Sequence, residues 1–318
     1  MPEKRILITG AGGYVGRIVG ERLAAEHFVV GADLRARSDL GFEIVALDVR
    51  DPRLRDLMAD LRISHVIHLA AVLEGGRDRK TDYDIDVGGT NNVVACAVDA
   101  GVRHLTVSSS GAAYGYHADN PAWITEDHPL RASERFAYAY HKRVVEQLLA
   151  RYRQLAPQLG QLVLRICTVL GATTKNQITA LFQQRRILGV RGSDSRFVFI
   201  WDEDVAGAIL HGVRGDRTGV YNLAGDGAMT IHEIAEALGK PTRMLPAFVI
   251  RQALGIGRFF RLSRYGPEQL DFLRYRPVLD NRRLKEVFGY TPQKTSAEAF
   301  QTFAEAQRGR ERAPAGAP

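Results

Sequence analysis

Cysteine and tryptophan are scarce, with two of each in 318 residues. Cys96 and Cys167 each lie inside an apolar stretch without the neighbouring Cys or His ligands that a zinc site needs, so both read as small core residues and no metal site is expected. No apolar run is long enough to span a bilayer. The opening Met-Pro-Glu-Lys-Arg leads directly into a strand-like run, without the charged, apolar and cleavage regions of a secretory signal. These absences point to the cytoplasm and reduced thiols. No internal repeat is visible. Acid is outnumbered, 36 residues against 43 Lys and Arg, giving a net charge of +7 that suits an acidic partner such as nucleic acid. The cations are scattered rather than striped, however. The densest run, Arg308, Arg310 and Arg312, falls in an end that reads as frayed and solvated. Neither nucleic acid nor a membrane is expected as a partner.

What is present is ordinary globular material, 45% hydrophobic and 25% charged, long enough for a main domain with a smaller one attached. Short β-branched runs near 5–9, 28–33, 43–49, 65–70, 105–109 and 162–167 alternate with helix-like segments, among them 16–26 and 90–100. That alternation predicts an α/β fold, a doubly wound parallel (Rossmann) sheet covered on both faces. After Gly171 the rhythm breaks into a helix-like stretch near 179–188, strands at 197–200 and 220–223, and a helix at 231–238. Beyond Pro241 the chain is Arg-rich and irregular, with helical segments near 281–288 and 296–306. The division is a dinucleotide-binding domain over 1–170, to which 197–224 returns, a substrate-binding α/β part over 171–196 and 225–306, and a flexible tail over 307–318.

Ile6-Leu7-Ile8 runs into Thr9-Gly10-Ala11-Gly12-Gly13-Tyr14-Val15-Gly16 and then an amphipathic stretch, a Gly-rich turn between strand and helix. Glycines there permit a tight turn, close approach of a pyrophosphate and close helix packing, and the helix N-terminus supplies N–H groups for the anion. Asp33 ends the second strand 17 residues after Gly16, where a carboxylate meets the adenosine ribose hydroxyls. Gly10, Gly13, Tyr14, Val15, Gly16, Asp33, Leu34 and Arg35 are therefore assigned to a dinucleotide. Asp33 repels a 2′-phosphate and favours NAD, while Arg35 and Arg37 keep NADP open. Asp48 and Val49, ending the third strand, are placed to meet the adenine edge, with capping of the following helix as the other role of Asp48.

Tyr138 and Lys142 stand four apart in 133–152, a segment read as one helix with Ser133 at its N-cap. An ammonium near a phenol stabilises the phenolate and lowers its pKa, making Tyr an acid or base near neutral pH. A Ser hydroxyl from 108–110 then holds the substrate oxygen while hydride moves to or from a nicotinamide. Tyr140 is the competing phenol, but position 144 is Val, so Tyr140 and His141 read as surface or interface residues.

These motifs, with His68-Leu69-Ala70-Ala71, Val107-Ser108-Ser109-Ser110-Gly111-Ala112-Ala113-Tyr114-Gly115, Tyr221-Asn222-Leu223-Ala224 and Gly289-Tyr290-Thr291-Pro292, resemble the extended short-chain dehydrogenase/reductase family, also called the NAD-dependent epimerase/dehydratase family. The likeness covers nearly the whole chain. It implies Ser110 as the catalytic hydroxyl, Tyr138 as acid/base, Lys142 bridging to the nicotinamide ribose, and Leu69, Ala70, Ala71 and Ser108 behind the cofactor. It also implies a homodimer through helices near 88–100 and 134–152. Family dehydratases resemble Thr-Asp-Glu where this chain has Ser110-Gly111-Ala112, so elimination of water is not expected. No Cys lies near that loop, which leaves proton shuttling beside a carbonyl unsupported.

Nucleotide-sugar members usually carry an Asn after the sixth strand and an Arg at the start of the later strand. Here those positions are Thr168 and Phe197, with Arg196 displaced by one and Arg185, Arg186, Arg191 and Arg264 as possible replacements. The Asn often found before the Gly-Thr turn is Asp86, read as structural. The expected function is an NAD-dependent oxidoreductase acting on a small secondary alcohol or ketone. The alternatives are a nucleotide-sugar 4-epimerase and a non-catalytic dinucleotide-sensing protein. Substrate-facing candidates are Val72, Glu74, Ala112, Asn176, Gln177 and Arg196.

Overall fold

The computed structural model describes residues 3–72, 78–174, 176–260 and 266–312. Along the chain the strands are β1 (Arg5–Thr9), β2 (Phe28–Asp33), β3 (Glu43–Ala46), β4 (His65–His68), β5 (His104–Ser110), β6 (Gly160–Ile166), β7 (Thr168–Leu170), β8 (Ile187–Val190), β9 (Phe199–Trp201), β10 (Gly219–Leu223) and β11 (Thr242–Leu245). The helices are α1 (Tyr14–Ala24), α2 (Leu54–Asp60), α3 (Arg79–Tyr83), α4 (Gly89–Asp99), α5 (Ala137–Leu155), α6 (Gln177–Phe182), α7 (Asp202–Arg214), α8 (Ile231–Leu238), α9 (Ala247–Phe259), α10 (Gln269–Arg274) and α11 (Ser296–Arg312).

Seven parallel strands make one sheet in the order β10-β6-β5-β4-β1-β2-β3, the doubly wound Rossmann arrangement. Alternate residues of β1 serve opposite layers. Ile6 and Ile8 pack with Val19 and Leu23 of α1 and Val205 and Ile209 of α7, while Leu7 packs with Val93 and Ala97 of α4 and Val145 and Leu149 of α5. Burial on both faces is why the strands read as continuous apolar runs. Strand order reverses between β1 and β4, and the crevice outside their carboxyl ends is where such sheets take ligands.

The smaller part pairs β8 with β11 and β7 with β9, over a core of Leu170, Phe182, Phe197, Phe199, Ile234, Phe300 and Phe303. Several elements differ from the sequence reading. The helix near 179–188 stops at Phe182, because Ile187–Val190 pairs with β11, and tertiary pairing outweighs weak local periodicity. The region after Pro241 is not irregular, since it holds β11, α9 and α10. The long helix begins at Ala137 rather than at Ser133, whose carbonyl accepts the Phe136 N–H in a turn, so Ser133 caps nothing. The C-terminal basic run is helical through Arg312. Arg308 and Arg310 donate to the carbonyls of Ala237 and Ala172 instead of fraying.

Candidate active site

The glycine turn is shaped by clashes that any side chain would create. Gly10 sits at φ +71°, and a Cβ there would lie 2.6 Å from the Ala70 nitrogen. One at Gly16 would lie 2.5 Å from the Gly10 carbonyl oxygen, so α1 rests against the turn only without it. The α1 N-cap, Gly13, brings no side-chain hydrogen bond, and the first turn holds no acid. Its N–H groups are thus left for an anion, which fits a dinucleotide pyrophosphate. Asp33 accepts from the Gly12 N–H at 2.9 Å and the Leu34 N–H at 2.7 Å, placing its carboxylate beside the turn with Leu34 exposed. Arg35 is exposed, whereas Arg37 forms a two-bond pair with Asp39 at 2.9 and 2.6 Å. Tyr14 donates its phenol hydrogen to Asp202 at the start of α7, and Val15 packs against the core.

At the adenine edge the two candidates diverge. Asp48 is bound to Arg50 through the backbone N–H and the guanidinium, and Val49 is buried against Gly89. Leu69 joins the turn through its N–H on the Thr9 carbonyl at 3.0 Å, with Ala70 and Ala71 following half-buried.

Strand alternation sorts the three serines. Ser109 faces α5 and donates to Glu146 at 2.5 Å, which removes it from the cleft. Ser110 ends β5, where its Oγ accepts from the Ala112 N–H at 3.2 Å and lies near enough to the Tyr138 phenol to pull its pKa down. Lys142, buried, donates its Nζ to the Ser108 carbonyl at 2.7 Å, with that Nζ 5.8 Å from the centre of the Tyr138 ring. Ser110, Tyr138 and Lys142 therefore converge. The electrostatics do not follow the sequence expectation: the Tyr138 phenol is raised, not lowered. Burial is the main cause, Ser110 opposes it and Asp86 adds to it. Burial likewise lowers Lys142, against the pull of Asp86 and Glu146.

His141 is another correction. It is buried and its Nδ1 meets Asp86 at 2.7 Å, while Asp86 also accepts the Val72 N–H at 2.8 Å. This pair ties the Leu69–Val72 segment to the helix of Tyr138 and Lys142. Tyr140 is half-buried and stacks on Tyr83. Of the remaining substrate candidates, Ala112 lies beside Ser110, and Asn176 spends its Oδ1 capping α6 through the Ile178 and Thr179 N–H groups. Gln177 opens α6, Arg196 is exposed 4.0 Å from Asp194, and Glu74 lies outside the described residues.

The sequence reading missed a cluster that reaches Tyr138 through Tyr116. The Arg276 guanidinium is held between Phe272 and Phe197, 4.0 and 4.1 Å from the ring centres. Among the described residues its Nε and Nη2 are buried without a hydrogen-bond partner, and burial lowers its pKa to about 9, Tyr116 acting the other way. Tyr116 packs edge-on to Phe136 at 4.7 Å and Phe272 at 5.1 Å, and its phenol feels the charge of both Arg276 and Tyr138. Arg276 falls between the motifs ending at Ala224 and beginning at Gly289, and gives no local signal. The ring at Phe197 that receives it is the position where the likeness would place an arginine.

A model of the NAD dependent epimerase/dehydratase family matches residues 6–224. The chain belongs to that family. The UDP-glucose 4-epimerase of Mycolicibacterium smegmatis is 30% identical over 93% of this chain and 96% of its own length. A short-chain dehydrogenase/reductase superfamily protein from Agrobacterium tumefaciens, solved with bound NAD, is similar with a TM-score of 0.74 at 23% identity, covering 96% of this chain and 98% of the other. MoeE5, solved with UDP-glucuronic acid and NAD, also reaches 0.74, at 24% identity over 96% and 99% of the two chains. As a member of the epimerase/dehydratase family the protein is an NAD-dependent enzyme, with the cofactor and Rossmann sheet expected from the glycine turn. Among the described residues no helix is long and apolar enough to cross a membrane.

Proposed function

We propose that this enzyme interconverts a secondary alcohol and a ketone on a small anionic substrate, with Ser110, Tyr138 and Lys142 as its catalytic residues. The observation that carries this is the convergence at the carboxyl end of β5, two strands from the glycine turn, of Ser110, of Tyr138, whose phenol Ser110 pulls down, and of Lys142, whose Nζ lies 2.7 Å from the Ser108 carbonyl and 5.8 Å from the Tyr138 ring centre. NAD, when bound, supplies the partner that takes up or returns the hydride. Ser110 holds the substrate oxygen and Tyr138 takes or gives its proton. Lys142, a turn further along α5, holds positive charge beneath the phenol and favours its ionised form as substrate closes the site. A sensing protein without chemistry has no need of this convergence.

Gly10, Gly13 and Gly16 would hold the pyrophosphate and Asp33 the adenosine ribose. Arg37 is already paired with Asp39, which favours NAD over NADP. Replacing Asp33 by Asn is expected to weaken NAD and narrow the NAD/NADP preference about tenfold, one ribose carboxylate contact being worth about 1.5–3 kcal/mol. The ratio of kcat/KM for the two cofactors measures this.

Arg276 supports an anionic substrate, because an unpaired guanidinium between two rings offers hydrogen bonds to a phosphate or carboxylate. It also supports the second reading, a nucleotide-sugar 4-epimerase, as does the identity to the mycobacterial epimerase. Arg276→Gln is expected to raise KM about 10–100-fold with a smaller effect on kcat, the cost of one charge-assisted contact. A panel of UDP-, GDP- and dTDP-sugars beside simple secondary alcohols tests the assignment. Net release of NADH marks a dehydrogenase, and turnover with no net absorbance change marks the epimerase. A homodimer through α4 and α5 accompanies this reading.

A further inference from the structure

α9 has an apolar face that packs inward and a second one that does not. Ile250 is buried and, with Ala247 and Leu254, meets Val190 of β8 and Leu270 and Leu273 of α10. At about 100° per residue, Phe248, Ile256 and Phe259 fall on one outward arc of the same helix. Phe248 is 64% exposed, Ile256 58%, Phe259 80%, and Phe260 just past the helix end 63%. Three phenylalanines at that exposure are not ordinary surface.

The charge along this segment of the chain has one sign. From Gly239 to Phe260 the chain carries Lys240, Arg243, Arg251 and Arg258 and no acid. Lys240 donates to the Phe182 carbonyl and Arg258 pairs with Glu268, which leaves Arg243 and Arg251 exposed beside the aromatic arc. A second copy of the chain would bring these same cations against each other. On the outward arc only Gln252 has a hydrogen-bonding side chain, where a protein interface would carry a polar rim. We propose that α9 lies on an anionic lipid surface, with Phe248, Ile256, Phe259 and Phe260 seated at the headgroup–acyl boundary and Arg243 and Arg251 among the headgroups. At 13 residues, about 20 Å long, the helix rests on the bilayer and does not cross it. This revises, for the surface, the expectation from composition that no membrane takes part.

Co-sedimentation of the full chain with vesicles tests the proposal. Vesicles of phosphatidylcholine containing about one-third phosphatidylglycerol should bind it at least about tenfold more tightly than phosphatidylcholine alone, with the difference shrinking in high salt. The double change Phe259→Ser and Phe260→Ser should lower that binding about tenfold or more with the melting temperature unchanged, since both rings are exposed. Arg251→Glu should lower it on anionic vesicles only. Failure to bind anionic vesicles, equal binding to both compositions, or binding untouched by the double change each overturns the proposal. Self-association abolished by the double change, or capture of an acidic protein, overturns it when vesicle binding is absent.

Discussion

Changing Tyr138 to Phe is expected to lower turnover about 10²–10⁴-fold, the range for loss of a positioned general acid or base, with NAD affinity nearly unchanged. The phenol lies near Ser110, and the ring stays beside Lys142, so the substitution removes a proton-carrying atom and little else. The effect should therefore fall on kcat and kcat/KM together, as when an interaction made in the transition state is lost. The resting phenol is raised by burial, and burial lowers Lys142. The basic form of Tyr138 therefore gains as pH rises, and oxidation of the alcohol should accelerate from neutral toward alkaline pH in the wild type. That dependence should flatten in the Phe variant. A Tyr138→Phe enzyme with wild-type turnover would remove the catalytic assignment. Normal dinucleotide binding measured on the same sample shows that the turn at Gly10–Gly16 is intact.

Glu146→Ala is expected to cost about 3–5 kcal/mol of stability, the penalty for leaving one member of a buried ion pair without its partner. Glu146 accepts from Arg165 at 2.7 and 3.0 Å and from Ser109 at 2.5 Å, with both charged side chains almost fully buried. Burial works against the Arg165 charge, and the bonds to Glu146 more than restore it, leaving its pKa raised. Arg165 also donates to the Tyr114 phenol at 2.7 Å, and that phenol bonds to Asn222 at 2.9 Å, so one carboxylate anchors a network across β5, β6 and β10. Thermal or denaturant unfolding reads the loss. The double change Glu146→Leu with Arg165→Met should recover most of it, because well-packed apolar groups replace a buried pair at little cost. No recovery would mean that the site needs the charge network itself.

How far the sequence reaches depends on how local the cause is. The glycine turn was legible because tight turns and close backbone approaches admit few residues, and Gly10 and Gly16 each meet backbone within 2.6 Å of a would-be Cβ. Lys142 and Tyr138 were legible because helical spacing alone puts them on one face. The role of Ser109 was not, since only the carboxylate on α5 shows which way that serine faces. Nor was His141, a polar residue whose burial depends on Asp86, 55 positions earlier.

The amino-acid sequence by itself determined the parallel sheet, the glycine turn and the shared helix face of Tyr138 and Lys142, because strand and helix periodicities and the demand for glycine act within a few residues. Tertiary structure alone decided that Arg276 is held between Phe197 and Phe272, that the Tyr138 phenol is raised rather than lowered, and that α9 exposes its phenylalanines. Each of those depends on which distant groups exclude water or supply a partner, and burial and pairing are properties of the packed chain, not of neighbouring residues.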